Sequence, residues 1–250
     1  MPDKPVALIT GANKGIGLQI AKDLAARGLV VLVGARNLDR GRAAAASVGP
    51  DAHAVQLDVT DGASIAAAAG RIRDEFGRLD VLVNNAGIVF AGPPGTPFEE
   101  RMKTNVPSTG SVENMRAVFE TNVFGVAAVT QAMLPLLREA PAGRVVNVGS
   151  SAGSMAHGSD PSWPHRRVFG LAYSPSKAAL HAVTLAFANE LEGTNIKVNV
   201  ACPGHVATDL NDYRGTRTVE QGAREAVRLA LLGPDGPTGT FSDEDGRVAW

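Results

Sequence analysis

A tyrosine and a lysine stand four residues apart in the segment AYSPSK (172–177). Positions four apart on an α-helix share one face, so Tyr173 and Lys177 are expected side by side. A free tyrosine, with a pKa of about 10, is too weak an acid to donate protons near neutral pH. An ammonium about 5 Å away, at an effective dielectric of about 20, contributes about 3 kcal/mol and lowers that pKa by about two units. The pair predicts a general acid, Tyr173, assisted by Lys177.

Pro175 lies between these two residues and would disturb the interior of a helix. A proline in the first turn loses no intrahelical hydrogen bond, so we expect the helix to start near Ser174. Tyr173 then lies at the beginning of the helix.

The apolar run VALIT (6–10) leads directly into GANKGIG (11–17) and then into a helical pattern. Glycines let the backbone turn sharply and approach phosphates, and free N–H groups at a helix start attract a pyrophosphate. The turn therefore predicts a dinucleotide-binding loop. Its expected cofactor contacts are Gly11, Asn13, Lys14, Gly15, Ile16 and Gly17.

Cofactor preference depends on the end of the second strand, where a carboxylate would bind the free 2′-hydroxyl of NAD. The segment GARN (34–37) has no acid but offers Arg36, and Lys14 adds a second positive charge. A guanidinium can bind a 2′-phosphate, so NADPH is favoured over NADH. Asp39 could still reach a ribose, which keeps NADH as the less favoured cofactor.

Short runs rich in Val, Leu and Ile alternate with Ala- and Leu-rich stretches of helical spacing. The runs are 6–10, 30–33, 54–57, 80–83, 144–148 and 196–200, and each is unbroken enough to predict a strand buried on both faces. Helical patterns include 17–28, 61–77 and 112–138. The alternation predicts the α/β class: one Rossmann-type domain over 1–250, a doubly wound parallel sheet with helices on both faces.

Composition excludes several classes of protein. A chain of 250 residues suits one α/β domain, and a net charge of −1 with scattered Lys and Arg disfavours a nucleic-acid partner. We find no apolar segment long enough for a signal peptide or a membrane span and expect a soluble, cytoplasmic protein. Cys202 stands alone, which fits a reducing compartment, and the five histidines show no ligand spacing, so no metal is expected.

Five short motifs follow one another along the chain: GANKGIG (11–17), NNAG (84–87), Asn122 in FETNVFG, a serine after RVVNV, and Tyr173-x-x-x-Lys177. Together they resemble the short-chain dehydrogenase/reductase family over nearly the whole chain. ALITGANKGIG, GARNLDRG and LDVLVNNAGI are similar to the NADPH-dependent carbonyl reductases of that family. The resemblance implies hydride transfer from NADPH to an aldehyde or ketone, so that the partner is a small-molecule carbonyl or alcohol substrate.

The resemblance also implies roles for residues beyond the Tyr-Lys pair. The family pattern Asn-x-Ser-Ser aligns Asn147 so that Ser150 polarises the carbonyl, with Ser151 as the fallback. Asn122 would bind a water that links Lys177 to solvent. A second TNV triplet, at 104–106, runs into Pro107 outside any helical pattern, and Asn105 receives no role.

Further cofactor contacts come from the same likeness. Asp58 and Val59 would touch the adenine, while Asn84, Ala86 and Gly87 would form the floor under the adenosine and ribose, with Asn85 among the contacts. The segment CPGHVATDL would bring Pro203, Gly204, Val206 and Thr208 to the nicotinamide. Tyr173 and Lys177 are also expected to touch the cofactor.

Three segments near 90–110, 152–169 and 205–220 are expected to form substrate loops. The second makes the stretch between Ser150 and Tyr173 longer than in compact family members, and we expect it to wall the substrate pocket. It also lies next to the helices through which family members pair. The resemblance therefore implies a homodimer or homotetramer, with a monomer as the alternative.

Two other functions stay open at this point. One is an NAD-dependent secondary alcohol dehydrogenase working in the oxidative direction. The other is a nucleotide-binding sensor without turnover, which the intact Ser-Tyr-Lys set disfavours because a sensor needs no acid at the nicotinamide end.

Overall fold

The computed structural model describes residues 4–93 and 95–250, in which eight strands form one sheet. The strands are β1 (Val6–Ile9), β2 (Val30–Ala35), β3 (Ala52–Gln56), β4 (Val81–Asn84), β5 (Arg144–Val148), β6 (Lys197–Ala201), β7 (Phe241–Asp243) and β8 (Gly246–Arg247). Their order in the sheet is β3-β2-β1-β4-β5-β6-β7-β8. Neighbouring strands are parallel from β3 to β7, and only β8 is antiparallel to its neighbour.

Helices connect the strands across both faces of the sheet. They are α1 (Gly15–Ala25), α2 (Leu38–Val48), α3 (Gly62–Phe76), α4 (Phe98–Lys103), α5 (Val112–Phe119), α6 (Gly125–Arg138), α7 (Met155–Ser159), α8 (Tyr173–Glu190) and α9 (Val219–Ala230). A π-helical turn, Glu120–Phe124, joins α5 to α6. Single 3₁₀ turns occur at Ser151–Gly153, Arg166–Val168 and Asp209–Asn211.

Two apolar cores lie on opposite faces of the sheet. On one face α1, α2 and α9 pack against the sheet through residues such as Ile20, Leu24 and Val227. On the other face α3, α6 and α8 contribute residues such as Ile72 and Met133. Because successive strand residues point to opposite faces, the apolar runs fill both cores at once. The predicted doubly wound α/β fold is confirmed.

The sheet differs from the prediction at its two edges. β3 is an edge strand with only Val55 fully buried, so it is half exposed rather than covered on both faces. β7 and β8 were not predicted, because the segment FSDEDGR has a single large apolar residue, Phe241, and no hydrophobic run. Phe241 is buried beside His181 and Trp250, which extends the core under the carboxyl end of the chain.

Side-chain caps fix the beginning of several helices. The side-chain oxygens of Asn37, Asp61 and Ser111 accept hydrogen bonds from first-turn N–H groups of α2, α3 and α5 at 2.9, 2.9 and 3.0 Å. The helices α1 and α8 begin after Lys14 and Ala172 without a side-chain cap. These are the two helices whose first turns lie at the candidate site.

The continuous helical segment Val112–Arg138 is long and apolar enough to cross a membrane. Half of its most apolar window is buried inside the fold. Val129, Met133 and Leu137 are fully buried in the core beside α3. A core helix can have the same length and apolar composition as a membrane span. The burial of these residues is that of a core helix.

Candidate active site

The glycine-rich turn after β1 presents its backbone to a groove at the carboxyl edge of the sheet. Gly11 and Gly15 have φ angles of 63° and 56°, in the left-handed region that residues with a Cβ rarely enter. A Cβ added at Gly17 would lie 2.3 Å from Nδ2 of Asn85. Since α1 starts here without a capping side chain, its first N–H groups are suited to an anion. The turn fits the pyrophosphate of a dinucleotide.

The NNAG segment (84–87), at the end of β4, is hydrogen-bonded to the start of the glycine-rich turn. Thr10 Oγ1 accepts hydrogen bonds from the backbone N–H groups of Asn85 and Ala86 at 3.0 and 2.9 Å. Asn85 Nδ2 donates back to the Thr10 carbonyl at 2.9 Å. Asn84 points the other way, is buried, and donates to Asn147 Oδ1 at 2.8 Å beneath the site. The floor position expected for Asn84 therefore belongs to Asn85.

The groove has a volume of about 600 Å³ and extends from the end of β2 to the start of α8. Most of the predicted cofactor contacts line it: Gly11, Asn13, Lys14, Gly15, Ile16, Gly17, Arg36, Asp58, Val59, Asn85, Ala86, Gly87, Tyr173, Lys177, Pro203 and Thr208. Gly204 and Val206 are not among the described lining residues. Val206 is instead buried against Gly222 of α9, because its side chain points away from the groove.

The residues that follow the carboxyl ends of β2 and β3 line one end of the groove. Arg36 is exposed there, opposite Asp58 and Thr60. Oδ1 of Asp58 accepts hydrogen bonds from the backbone N–H and the hydroxyl of Thr60, at 3.0 and 2.7 Å, and so stabilises its own turn. Asp39, the alternative ribose ligand, pairs with Arg42 at 3.1 Å on the surface of α2 and is not a described groove residue. Among the described residues, the charged group that the end of β2 presents to the groove is thus the Arg36 guanidinium.

The Tyr-Lys pair lies at the opposite end of the groove. α8 begins at Tyr173 itself, one residue before the predicted start, and Pro175 lies in its first turn. Lys177 Nζ donates to the Val148 carbonyl at 2.7 Å and lies 5.8 Å from the centre of the Tyr173 ring. Both residues line the groove, with Gly149 beside them at the end of β5. The helix therefore places the two side chains on one face, as the spacing predicts.

The pKa values of this pair differ from the expectation. Burial raises the pKa of Tyr173 to about 12, and hydrogen bonding with the Ser150 hydroxyl opposes that rise only in part. Burial also lowers the pKa of Lys177 to about 8. The predicted lowering of the Tyr173 pKa does not hold for the protein alone, because desolvation of the phenolate outweighs the hydrogen bonding with Ser150. Tyr173 is therefore a phenol at neutral pH and carries a proton that it can donate.

The two candidate serines face different neighbours. Ser150 is within hydrogen-bonding reach of Tyr173, and its Oγ also accepts from the Ala152 N–H at 3.2 Å at the start of a 3₁₀ turn. Ser151 lies beside the buried Cys202 thiol and opposes in part the rise that burial gives to the Cys202 pKa. Of the two serines, Ser150 is the one that neighbours the Tyr173 hydroxyl, although it is not among the described lining residues of the groove.

Asn122 lies in the π-helical turn and is completely buried. Its amide group donates to the Ile88 carbonyl at 2.8 Å and to Ser176 Oγ at 3.0 Å, and its Oδ1 accepts from the Ile88 N–H at 2.8 Å. Ser176 Oγ in turn donates to the Tyr173 carbonyl at 2.7 Å. The Asn122 side chain therefore supports the backbone of the acid residue. A water relay to Lys177 stays a prediction.

The loops 90–110 and 205–220 meet over the groove. Arg101 of α4 pairs with Asp212 at 2.5 Å and donates to the Leu210 carbonyl at 3.4 Å. Arg214 stacks on the Phe98 ring with its guanidinium carbon 4.1 Å from the ring centre. Lys14 of the glycine-rich turn forms an ion pair with Asp209. Arg101, Asp209, Leu210 and Asp212 all line the groove, so these contacts cover it.

The segment 152–169 does not have the position that was expected of it. No described residue of this segment lines the groove. It folds on its own aromatic cluster, in which Trp163 stacks on His157 at 5.0 Å and meets Phe169 edge-on at 6.4 Å between ring centres. The sequence could not reveal this packing, and the expected role of the segment in the substrate pocket stays a prediction.

The sequence also missed residues that line or build the site. Thr10, Arg101, Asp209 and Asp212 belong to this group. Thr10 directly precedes the glycine-rich turn, a position that could have indicated a bond to the neighbouring strand end. The ion pair of Arg101 with Asp212 and that of Lys14 with Asp209 join distant segments and leave no sequence pattern. Among residues 4–93 and 95–250, no group of three or more His, Cys, Asp or Glu could hold a metal ion.

The fold and the site together define a class of protein. The family model described as short chain dehydrogenase matches residues 5–218. The chain belongs to that family and is an oxidoreductase of the type that acts on C=O and CH–OH groups.

Individual relatives are similar along their whole length. The chain is 36% identical to carbonyl reductase [NADPH] 1 of Bos taurus, covering 98% of each sequence. It is 32% identical to salutaridine reductase of Papaver somniferum, covering 95% of this chain and 93% of the relative. Among solved structures, NADPH-bound carbonyl reductase from chicken fatty liver has a TM-score of 0.80 at 27% identity, with 99% of both chains covered.

Proposed function

We propose that this chain is an NADPH-dependent reductase of aldehydes or ketones, in which Tyr173 donates the proton. The observation that carries the proposal is the placement of Arg36 and Tyr173 at opposite ends of one groove. Relatives named as carbonyl reductase [NADPH] and salutaridine reductase support the same reaction.

The residues of the groove fit a dinucleotide. The left-handed glycines leave room for phosphates, and the uncapped start of α1 supplies N–H donors. The Arg36 guanidinium would bind the 2′-phosphate, and Asp58 and Val59 would contact the adenine. The nicotinamide would lie near Pro203, Thr208 and Gly87. When bound there, NADPH supplies the hydride that reduces a carbonyl carbon.

Tyr173 completes the reduction by protonating the oxygen. As negative charge develops on the carbonyl oxygen, the Tyr173 O–H and the Ser150 hydroxyl donate hydrogen bonds to it. Tyr173 then transfers its proton to that oxygen, which leaves a phenolate. The Lys177 ammonium stabilises this anion, and Asn122 holds the backbone from which Tyr173 projects. A proton from solvent then converts the phenolate back to the phenol, which restores the acid for the next turnover.

The cellular setting is part of the same proposal. The single cysteine, Cys202, is buried, which fits a reducing compartment such as the cytoplasm. Homodimers or homotetramers stay a prediction, which light scattering of the purified protein tests directly.

The test is a rate comparison with both cofactors. Initial rates of NADPH and NADH oxidation are measured against aldehydes, aryl ketones, ketoesters and quinones, with para-nitrobenzaldehyde as an electron-poor reference. We expect turnover with NADPH at a higher kcat/KM than with NADH. NADPH binding without turnover of any compound would instead favour the sensor, and a preference for NADH with secondary alcohols would favour the alcohol dehydrogenase.

A further inference from the structure

The peptide that precedes Tyr173 is held by a residue from a distant loop. Asn105 Oδ1 accepts a hydrogen bond from the Ala172 N–H at 3.0 Å, and the Asn105 carbonyl accepts one from the Leu171 N–H at 2.8 Å. The Ala172 carbonyl accepts the helical hydrogen bond from the Ser176 N–H at 3.1 Å. The residue before Tyr173 is therefore fixed at both its N–H and its carbonyl.

This tie matters because α8 has no side-chain cap of its own. Ala172 stands at the cap position and cannot accept a hydrogen bond through its side chain. Pro175 removes one N–H from the first turn. On the carboxyl side of Tyr173, Ser176 and Asn122 hold the Tyr173 carbonyl. On the amino side of Tyr173, the Asn105 side chain holds the backbone by accepting a hydrogen bond from the Ala172 N–H.

The surroundings of Asn105 are built to keep it in place. Its backbone N–H donates to the Met102 carbonyl at 3.1 Å, which attaches it to the end of α4. A Cβ added at Gly170 would lie 2.0 Å from Asn105 Nδ2, so only glycine leaves room for the amide. α4 itself is joined to the loop over the groove by the pair of Arg101 with Asp212. Asn105 thus connects that covering loop to the start of α8.

We propose that Asn105 is a positioning residue for the reaction and sets the orientation of the Tyr173 hydroxyl toward the substrate oxygen. This inference rests on the proposed function of Tyr173. Proton transfer depends strongly on distance and alignment, so a small displacement of the phenol slows it. The glycine-rich turn and Arg36, which would hold the phosphates of NADPH, lie on other elements, so the NADPH affinity is expected to change little when this tie is lost.

Asn105→Ala removes the acceptor for the Ala172 N–H. With NADPH and para-nitrobenzaldehyde, we expect kcat to fall about tenfold or more, with the NADPH Kd within about twofold of the unmodified protein. The solvent deuterium isotope effect on kcat should increase, because proton transfer becomes more rate-limiting. Asn105→Asp keeps an oxygen acceptor in the same place, and no described hydrogen bond uses Asn105 Nδ2 as donor, so this variant should retain most of kcat.

Two further variants separate positioning from stability. Asn195→Ala deletes a comparable side-chain to backbone hydrogen bond, to the Ala140 carbonyl, far from the groove. It should alter neither kcat nor the isotope effect. Gly170→Ala displaces the Asn105 amide while leaving Asn105 present and should reproduce the loss of kcat. If Asn105→Ala does not fold, Gly170→Ala is measured in its place.

An unchanged kcat and isotope effect in both Asn105→Ala and Gly170→Ala would overturn the inference. So would a loss confined to NADPH binding, or a loss in Asn105→Asp equal to that in Asn105→Ala. Tyr173→Phe is measured in parallel. If that variant loses turnover while Asn105→Ala keeps it, the positioning role alone fails. If Tyr173→Phe keeps turnover, the proposed function itself fails.

Discussion

Lys177 lies beside Tyr173 but directs its ammonium to the protein backbone. Its Nζ donates to the Val148 carbonyl at 2.7 Å and lies 5.8 Å from the centre of the Tyr173 ring. Both groups are desolvated, so the phenol keeps its proton at neutral pH while the ammonium loses its proton more readily than a free lysine does. As the pH rises, Lys177 therefore loses its proton before Tyr173 does.

This order of titration predicts a pH dependence of reduction. The pKa of Lys177 is lowered to about 8, whereas that of Tyr173 is raised to about 12. Above about pH 8 the ammonium that stabilises the phenolate is lost, so kcat/KM should fall by about half near pH 8 and about tenfold at pH 9. A pH profile with NADPH measures this. Lys177→Met should be slow and flat across the same range, and the same alkaline decline in that variant would contradict the assignment.

Arg36 is predicted to select NADPH. Arg36→Asp replaces the guanidinium by a carboxylate, which repels a 2′-phosphate and accepts a hydrogen bond from a 2′-hydroxyl. We expect kcat/KM for NADPH to fall by about 30- to 150-fold, as for the loss of a charge-assisted hydrogen bond worth about 2–3 kcal/mol. The NADH value should be unchanged or higher. Arg42→Asp, on the surface of α2, is the control, and an equal effect of both substitutions would contradict the role of Arg36.

The ion pair between Lys14 and Asp209 predicts a gain in cofactor affinity. Asp209 neutralises a cation of the glycine-rich turn and adds a negative charge to a groove that we expect to bind phosphates. Asp209→Asn should lower the NADPH Kd by about two- to fivefold, which is the scale of an exposed ion pair of about 0.5–1 kcal/mol. Fluorescence titration measures the Kd. Asp235→Asn is a control outside the groove, and weaker NADPH binding by Asp209→Asn would show that Asp209 has another role.

His181 predicts acid sensitivity of the fold. It lies buried between Phe241 and Trp250, and both ring nitrogens lack hydrogen-bond partners among the described residues. Burial, with the nearby Lys177 charge, lowers its pKa to about 3. Between pH 6.5 and pH 5 the unfolded chain binds a proton that the folded protein excludes, so the free energy of unfolding should decrease by about 2 kcal/mol on acidification.

Urea unfolding at pH 7 and pH 5 measures this difference. His181→Leu removes the titrating group and should show a smaller decrease on acidification, whereas His53→Gln on the exposed edge strand should keep the full decrease. An identical acid dependence in His181→Leu and the unmodified protein would contradict the assignment.

Short sequence patterns predicted the features that depend on neighbouring residues, namely the buried strands, the glycine-rich turn and the spacing of Tyr173 and Lys177. Five of the six predicted strands are rich in apolar residues because both faces of the parallel sheet are covered there, and the glycines at 11, 15 and 17 mark a turn that only glycine allows. The fold class and the position of Tyr173 beside Lys177 follow from those signals. The choice of Ser150 over Ser151 stays a prediction.

The rest depends on contacts between distant segments. The pairs of Arg101 with Asp212 and of Lys14 with Asp209 join residues that no periodicity relates. The Tyr173 pKa depends on how completely the fold removes water, which neighbour spacing alone does not reveal. Asn105 stands in a triplet identical to that of Asn122, and only the tertiary structure shows that both residues hold the backbone on either side of Tyr173.

The most direct test of the account is single-turnover reduction by Tyr173→Phe with NADPH and para-nitrobenzaldehyde, together with the NADPH Kd of the variant. Removing the hydroxyl takes away the proton donor and leaves the groove intact. We predict a rate lower by about 10²- to 10⁴-fold with a Kd changed less than about twofold. A rate within about threefold of the unmodified protein would contradict the assignment of Tyr173 as the acid.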